Sequence, residues 1–467
     1  MAERESSKNG PPPGPRGVPF FGSVMDAWRD PLDLMVRTQR TYGDVARLKF
    51  GHWSYYPIHD PADVHHVLVE NYKAYTKSRN YSGLKLVVGS GLITSEGEFW
   101  RGQRKLAQPA FHKQRLAAFA DAMVKDTASM LDRWAESGPT LDVHEEMTRL
   151  TLRIVGRTLF STDVDGEAQS IGAALTLAIK WANEYVESVV RLPPWVPTPH
   201  NVRFGRAKKT LDDLVFRIIA SRRESGEDPG DLLSMLMAAR DEETRAGMTD
   251  QQLRDEVMTL VLAGHETTAN ALSWAFYLLS RHPDVMRRLK GEVDRVLGDR
   301  APTLADVPAL AYTKMVVEES MRLYPPVWIF ERQAQEDDVI GGYAIPKGSI
   351  VSVCPWSIHR STKLWDNPEG FDPERFAPAA VAARPKFAYL PFGGGPRMCI
   401  GNAFAMMEAQ IIVAMVAQRY ALELVPGHPI VPDPLVTLRP RHGVRMTLRP
   451  AEGRPAAPRE DRALRVA

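Results

Sequence analysis

Residues 392–401 read FGGGPRMCIG and place Cys399 at the end of a glycine-rich turn. A run of helix formers, AFAMMEA at 403–409, follows directly. The glycines allow positive φ angles and let the backbone come close to a flat ligand. A thiolate just before a helix N-terminus is stabilised by backbone amides and by the helix dipole. The pattern therefore predicts that Cys399 ligates a metal as an anion, without a second cysteine beside it.

Other kinds of glycine-rich loop fit this stretch less well. A dinucleotide-binding loop would have a glycine where Met398 stands, and Pro396 lacks the N–H that a phosphate would bind. A phosphate-binding loop would end in Gly-Lys-Ser or Gly-Lys-Thr, and this one does not. The remaining alternative is a tight turn followed by a buried free cysteine.

The spacing of the loop residues resembles the cysteine loop of the cytochrome P450 family, in which a thiolate is the axial ligand of haem iron. The resemblance implies haem b as the cofactor and Cys399 as the metal ligand. It also implies that further residues of the loop contact the haem, namely Phe392, Gly393, Arg397 and Gly401.

Composition sets wide bounds on the function. The chain has 467 residues, 44% of them hydrophobic and 25% charged, and a formal net charge of +2, so its overall charge gives no case for nucleic-acid binding. Its two cysteines, Cys354 and Cys399, exclude a disulfide framework. Cys354 ends the apolar run IVSVC and is predicted to be a core residue of a strand.

The termini are polar and rich in proline. Residues 1–16 and 451–467 are expected to be disordered, and residues 17–450 to form a single haem domain. Neither a signal peptide nor a run of ~18 uncharged apolar residues is present in the sequence. We therefore expect a soluble, cytoplasmic protein without a membrane anchor.

Hydrophobic periodicity predicts a mainly α fold with small peripheral β-sheets. A capping box of Thr249 and Gln252 begins a helix predicted over 249–280, which His282-Pro283 ends. Further helices are predicted over 285–297 and Ala311–Leu323. Hairpins are predicted over 46–58 and, with a turn near 442–443, over 434–448. The resemblance implies the cytochrome P450 fold, with haem between the long central helix and the helix that follows the cysteine loop.

The long helix contains the sequence AGHETT at 263–268. Gly264 costs about 1 kcal/mol in a helix interior, which suggests that a flat group lies close to the backbone. The resemblance makes Ala263 and Gly264 haem contacts, Glu266 the acid of a proton relay, and Thr267 the hydroxyl that holds water or dioxygen. The alternative is a surface Glu-Thr pair beside a helix-packing glycine.

Two further sets of charged residues have family counterparts. Glu319 and Arg322 share one helix face, and the resemblance joins them with Arg375 in a buried ion network that positions the cysteine loop. Haem propionates need cationic or hydrogen-bonding partners. By the resemblance these partners are Trp100, Arg104, Arg332 and Arg397. Whether His112 or His359 contacts the haem stays open.

The predicted substrate pocket is apolar, which favours a fatty acid, terpenoid, steroid or polyketide-like substrate. By family position it is lined by Leu84, Val87, Leu262, Ala263, Val327, Ile329, Leu435 and Val436.

The resemblance implies a prokaryotic-type monomeric monooxygenase that inserts one oxygen atom from O2 into such a substrate. Electrons are expected ultimately from NAD(P)H, through a ferredoxin or flavodoxin and its reductase. An acidic carrier of this kind would dock on a basic patch of Arg101, Lys105, Lys113 and Arg115. A peroxygenase or isomerase on the same fold, or a haem-binding sensor without turnover, are the alternatives, and Glu266 with Thr267 argues against them.

Overall fold

The computed structural model describes residues 10–111, 113–162, 166, 168–188, 191–240 and 247–451. His112 lies outside this part of the chain, as do the side chains of Lys113 and Arg115. The helices are α1 (Val24–Arg29), α2 (Pro31–Tyr42), α3 (Pro61–His65), α4 (Tyr81–Val88), α5 (Gly97–Ala107), α6 (Lys113–Glu136), α7 (Val143–Phe160), α8 (Ala168–Glu187), α9 (Pro199–Ser225), α10 (Leu232–Ala238), α11 (Asp250–Arg281), α12 (Pro283–Leu297), α13 (Ala311–Leu323), α14 (Pro355–Ile358), α15 (Pro378–Ala383) and α16 (Asn402–Arg419).

The strands are short and form four small sheets. They are β1 (Leu48–Phe50), β2 (Trp53–Ile58), β3 (Tyr75–Lys77), β4 (Thr140–Asp142), β5 (Phe330–Ala334), β6 (Asp338–Ile340), β7 (Tyr343–Ile345), β8 (Ile350–Val353), β9 (Tyr420–Leu424), β10 (Pro432–Pro434), β11 (Leu438–Pro440) and β12 (Arg445–Pro450). The largest sheet has the order β1-β2-β8-β5-β3, with β2 and β8 parallel. The mainly α fold with small peripheral sheets is therefore confirmed.

Helix α11 is the central element of the helical core. Its start follows the predicted capping box, because Thr249 accepts a hydrogen bond from the Gln252 N–H (3.2 Å) and Gln252 accepts one from the Thr249 N–H (2.8 Å). The helix packs most extensively against α7 and also against α9, α13 and α16. Most of its side chains are buried, including polar ones such as Asp255, Asn270 and Ser273.

The predicted late hairpin over 434–448 is wrong. Strand β11 pairs with β10, whereas β12 pairs with β9 and β4 in a different sheet. The turn near 442–443 therefore separates two sheets instead of joining two neighbouring strands. Strand β12 pairs with the earlier strand β9 over five residue pairs.

Part of the predicted N-terminal tail packs on the fold. The Pro13 carbonyl accepts a hydrogen bond from the Arg47 N–H (2.9 Å), and Pro12 is buried. The early hairpin, by contrast, is as predicted, with β1 and β2 antiparallel around Gly51. Within the described ranges, no helix combines the length and the apolar character that crossing a membrane requires.

Candidate active site

A large cavity of about 1150 Å³ lies between α11, the cysteine loop and the start of α16. Its volume exceeds the roughly 300–1,000 Å³ of common small-molecule pockets, so it offers room for more than one ligand. Nearly all the predicted site residues line it: Leu84, Trp100, Arg104, Leu262, Ala263, Gly264, Glu266, Thr267, Val327, Ile329, Arg332, Phe392, Gly393, Arg397, Cys399, Gly401, Leu435 and Val436.

Val87 is an exception and corrects the predicted substrate pocket. It belongs to the main hydrophobic core, with 1% of its surface exposed, and does not line the cavity. Its carbonyl instead accepts a hydrogen bond from Arg254 of α11 (2.8 Å). The turn of α4 that contains Val87 therefore packs in the core and bonds to α11.

The cysteine loop owes its shape to two glycines and a short helical turn. Gly393 and Gly395 have φ angles of +68° and +65°, the left-handed region that favours glycine. A Cβ atom on Gly395 would also overlap the carbonyl oxygen of Leu68. The Cys399 N–H donates to the Phe392 carbonyl (2.9 Å), which closes the loop.

The thiol of Cys399 faces the cavity. It is exposed there, although protein surrounds it on its other sides, and this low-polarity setting raises the pKa of the thiol. The Gly401 N–H and the Arg104 charge oppose that shift without cancelling it. A metal cation bound to the sulfur would favour the anion.

Two threonines on α11 bond to the helix backbone where it passes the cavity. The Thr267 hydroxyl donates to the Ala263 carbonyl (2.7 Å), and the Thr268 hydroxyl donates to the Gly264 carbonyl (3.2 Å). Such bonds to the carbonyl four residues earlier tend to bend a helix locally. The Thr267 oxygen keeps its lone pairs for a further hydrogen bond from a group in the cavity.

Glu266 has a partner that sequence reasoning missed. Its carboxylate accepts a hydrogen bond from the Thr437 hydroxyl (2.7 Å), and Thr437 in turn accepts one from the Asn270 amide (3.1 Å). Burial raises the pKa of Glu266 to about 6, against smaller opposing effects of Thr437 and Arg439. No pattern near residue 266 indicates Thr437, because 171 positions separate the two residues.

The interpretation of Gly264 also changes. A Cβ atom at this position would lie 2.9 Å from Cγ2 of Val155 on α7. The contact between α11 and α7 is therefore one reason for a glycine here, and Gly264 also lines the cavity. His265 next to it is buried, and its Nδ1 is 2.8 Å from the Val261 carbonyl oxygen, which makes it a packing residue.

A cluster of cations lies at one side of the cavity. Lys77, Arg332 and Arg397 interact electrostatically, and burial together with the two arginines lowers the pKa of Lys77 well below its usual range. Arg397 pairs with Glu96 and stacks on Trp100, with 3.9 Å from its Cζ atom to the ring centroid. The family's propionate partners did not indicate Lys77 as a member of this cluster. The Lys77 ammonium group also lies over the ring of Tyr81.

This cluster provides a test of whether haem fits. Glu96 is the carboxylate that acts on Lys77 and Arg397, and Arg332 adds a third basic group beside them. The basic side chains that line the cavity outnumber the acidic ones. Carboxylate groups of a ligand would balance that charge. Together with a thiol that faces the same cavity, the residues present fit a haem with its propionates.

The predicted ion network is brought together around Glu319. Arg322 donates to both carboxylate oxygens of Glu319 (2.6 and 2.8 Å), and Arg375 lies 3.5 Å from one of them. The remaining guanidinium hydrogens of Arg322 bind the carbonyls of His359, Pro368 and Gly370. The network thereby ties α13 to the segment that leads to the cysteine loop.

His359 does not line the cavity. Its ring is buried between the Arg322 carbonyl (3.1 Å from Nδ1) and the Leu390 N–H, which donates to Nε2 (3.1 Å). Burial lowers the pKa of this histidine well below its usual value. His359 thus holds residue 390, just before the cysteine loop, and has no free nitrogen for a ligand.

Comparison with known proteins gives a consistent picture. The family model described as Cytochrome P450 matches residues 12–445. The chain is 40% identical to cyclooctatin synthase of Streptomyces melanosporofaciens, over 91% of this chain and 92% of that protein. It is 38% identical to cyclooctat-9-en-7-ol 5-monooxygenase of the same organism, over 88% and 90%. It is 34% identical to pentalenene oxygenase of Streptomyces avermitilis, over 93% and 96%.

Proposed function

The chain belongs to the cytochrome P450 family of monooxygenases, and we propose that it inserts one oxygen atom into a terpenoid or a similarly apolar substrate. Two relatives are named for the oxidation of pentalenene and of cyclooctat-9-en-7-ol, which are terpenoids. Similarity over almost the whole of each chain supports carrying the substrate class over to this protein.

The single observation that carries the proposal is that one cavity contains three chemically different groups. The Cys399 thiol, the Glu266–Thr267 pair and an apolar surface made by Val327, Ile329 and other residues all face it. A ligand held by the thiol, a proton donor and an apolar substrate can therefore meet without leaving the protein interior.

Haem would be held by Cys399 and by the cation cluster of Lys77, Arg332 and Arg397. When bound, a haem with a thiolate ligand supplies the iron chemistry that activates dioxygen. Ala263 of α11 and Phe404 of α16 line the same cavity.

We assign proton delivery to Glu266 and Thr267. A carboxyl with a pKa of about 6 exchanges its proton readily near neutral pH, which suits a general acid. Thr437 holds the Glu266 carboxylate at one oxygen and leaves the other for water. The Thr267 hydroxyl, fixed by the Ala263 carbonyl, can accept a hydrogen bond from a water molecule and so set its position.

The substrate would be positioned by apolar contacts. Leu84, Leu262, Val327, Ile329, Leu435 and Val436 provide the apolar lining. Burying a hydrophobic substrate here excludes water from the proton-delivering residues, which limits loss of activated oxygen as peroxide. Electrons would come from NAD(P)H through a separate ferredoxin or flavodoxin.

The proposal is tested by titrating the haem-loaded protein with terpenoid hydrocarbons and alcohols and following the haem absorption band. Compounds that bind are then incubated with a ferredoxin, its reductase, NADPH and ¹⁸O₂. We expect at least one terpenoid to shift the band and to gain one ¹⁸O atom. Binding of fatty acids or steroids with no terpenoid oxidised would contradict the proposed substrate class.

A further inference from the structure

The cavity reaches the protein surface through an aromatic mouth. Phe20, Trp28 and Trp53 line the cavity and are also exposed, with 95%, 55% and 37% of their surface accessible to solvent. Residues that both line the cavity and face solvent mark the place where it opens. Two arginines, Arg79 and Arg191, line the cavity as well.

Arg79 is poorly satisfied at this mouth. Its guanidinium lies over the ring of Trp53, and its buried Nε has no hydrogen-bond partner. Arg191 donates to the Val186 carbonyl (2.7 Å). In the part of the chain that the structure describes, neither arginine has a carboxylate within 4.0 Å.

Two carboxylates that line the same cavity are already engaged. Glu331 accepts hydrogen bonds from the Tyr55 hydroxyl, the Ser78 hydroxyl and the Asn80 amide. Glu187, which also lines the cavity, accepts one from the Asn183 amide (2.7 Å). Neither acid is therefore placed to neutralise the two guanidinium groups by direct contact.

This pair is distinct from the cations assigned to the haem propionates. The charges that act on Arg79 are Arg191 and Glu331, and burial with the Arg191 charge lowers the pKa of Arg79 to about 10. Those that act on Lys77 are Arg332, Arg397 and Glu96. None of the charges that act on Lys77 is among those that act on Arg79, and the haem carboxylates assigned to Lys77, Arg332 and Arg397 leave Arg79 and Arg191 without an assigned ligand.

We propose that Arg79 and Arg191 bind the carboxylate of an otherwise apolar substrate at the mouth of the cavity. Guanidinium groups bind carboxylates through paired, charge-assisted hydrogen bonds, and in the described part of the chain no N–H group of the Arg79 guanidinium has an acceptor. The apolar lining would hold the rest of the molecule. This inference rests on the proposed function, because it specifies which members of an apolar substrate class the enzyme prefers.

The test compares acids with matched neutral compounds by isothermal titration calorimetry of the haem-loaded protein. The pairs are abietic acid with methyl abietate, palmitic acid with methyl palmitate, and geranylgeranyl diphosphate with geranylgeraniol. We expect the wild type to bind a carboxylic acid about tenfold more tightly than its ester, the effect of one partly exposed charge-assisted bond. In Arg79→Gln and Arg191→Gln this preference should disappear while ester affinity stays constant.

Arg29→Gln is the matched control, because Arg29 is an exposed arginine next to Trp28 and does not line the cavity. It should keep the preference for acids. Equal affinity for acid and ester in both carboxylic acid pairs would overturn the proposal. A preference confined to the diphosphate over its alcohol would also overturn it, because it would assign the site to phosphate. No turnover is measured, so a failure of the proposed oxygenation would leave this result unaffected.

Discussion

Two glutamates on α11 lie in the protein interior without a cation bound to them directly. Burial raises the pKa of Glu266 to about 6 and that of Glu256 to about 7. Glu266 faces the cavity and has Thr437 as its partner, whereas Glu256 is 1% exposed and accepts only the Leu92 N–H (3.2 Å). The same physical effect therefore suits Glu266 to the proposed proton delivery and makes Glu256 a point where stability depends on pH.

Removing the Thr267 hydroxyl tests the proton-delivering pair. Thr267→Ala should still bind haem and substrate and consume NADPH, but release mostly peroxide. Positioned proton donors contribute typically about 10²–10⁴-fold, so product formation should fall by at least about 100-fold. The measurement is the ratio of product to NADPH consumed.

Thr158→Ala is the control for this change. The Thr158 hydroxyl makes the same kind of bond, to the Ile154 carbonyl (2.6 Å), but does not line the cavity. It should leave the ratio of product to NADPH unchanged. An unaltered ratio in Thr267→Ala would exclude the residue from proton delivery.

Glu256 predicts how stability varies with pH. Its folded pKa of about 7 lies above its ordinary value of 4.5, so between these limits the folded protein binds more protons than the unfolded chain. The stability that the neutral carboxyl contributes is complete below pH 4.5 and is lost as pH rises through 7. The loss amounts to about 3 kcal/mol over that range.

Glu256→Gln should therefore show a smaller fall in unfolding free energy between pH 5 and pH 7 than the wild type, measured by urea titration. Glu224→Gln, at an exposed position of α9, should behave as the wild type does. Parallel pH profiles for the wild type and Glu256→Gln would show that the buried carboxyl does not retain its proton.

At the scale of the elements, local signals predicted boundaries well and partners poorly. The capping box at Thr249 began α11 at the expected residue, and α13 spans Ala311–Leu323 as predicted, since such boundaries depend on nearby backbone groups. The predicted pairing of the strand at 445–450 was wrong, because that strand pairs with β9 and β4, and β4 lies far away in the sequence. For the same reason, the sequence does not indicate Thr437 as the partner of Glu266 or Val155 as the packing partner of Gly264.

Helix α5 gives a prediction about the electron donor. It buries Trp100, Gln103 and Ala107 and leaves Arg101 and Lys105 on the outer face, where Arg101 pairs with Glu98. If an acidic carrier docks there, Arg101→Glu/Lys105→Glu should slow reduction of the enzyme in stopped-flow experiments. The defect should shrink as salt rises, because exposed charges are screened within ~8 Å at physiological ionic strength.

The matched control reverses two exposed arginines of α12, in Arg287→Glu/Arg295→Glu. It should leave the reduction rate near that of the wild type. Substrate affinity should be the same in both variants. If the two double variants are reduced equally slowly, overall charge and not a site on α5 determines the rate.

At the scale of the whole molecule, the fold brings together groups that are far apart in sequence. Trp100, Glu266, Arg332 and Cys399 come from four different elements or loops and line one cavity. The family resemblance, together with the order of the motifs along the chain, predicted that these residues lie close together. Their spacing in the sequence alone did not. The residues that surround them, such as Lys77, Arg79 and Thr437, have no such signal and become visible only in three dimensions.

The central claim is that Cys399 is the one protein ligand of the haem iron. It is tested most directly by the absorption spectrum of the reduced protein under carbon monoxide, in the wild type, Cys399→Ser and Cys354→Ser. Cys354 is fully buried outside the cavity, and burial raises the pKa of its thiol to about 11. We predict the strongly red-shifted band of a thiolate-ligated haem in the wild type and in Cys354→Ser, and its loss in a Cys399→Ser variant that is still folded by circular dichroism. Retention of that band in Cys399→Ser would contradict the account.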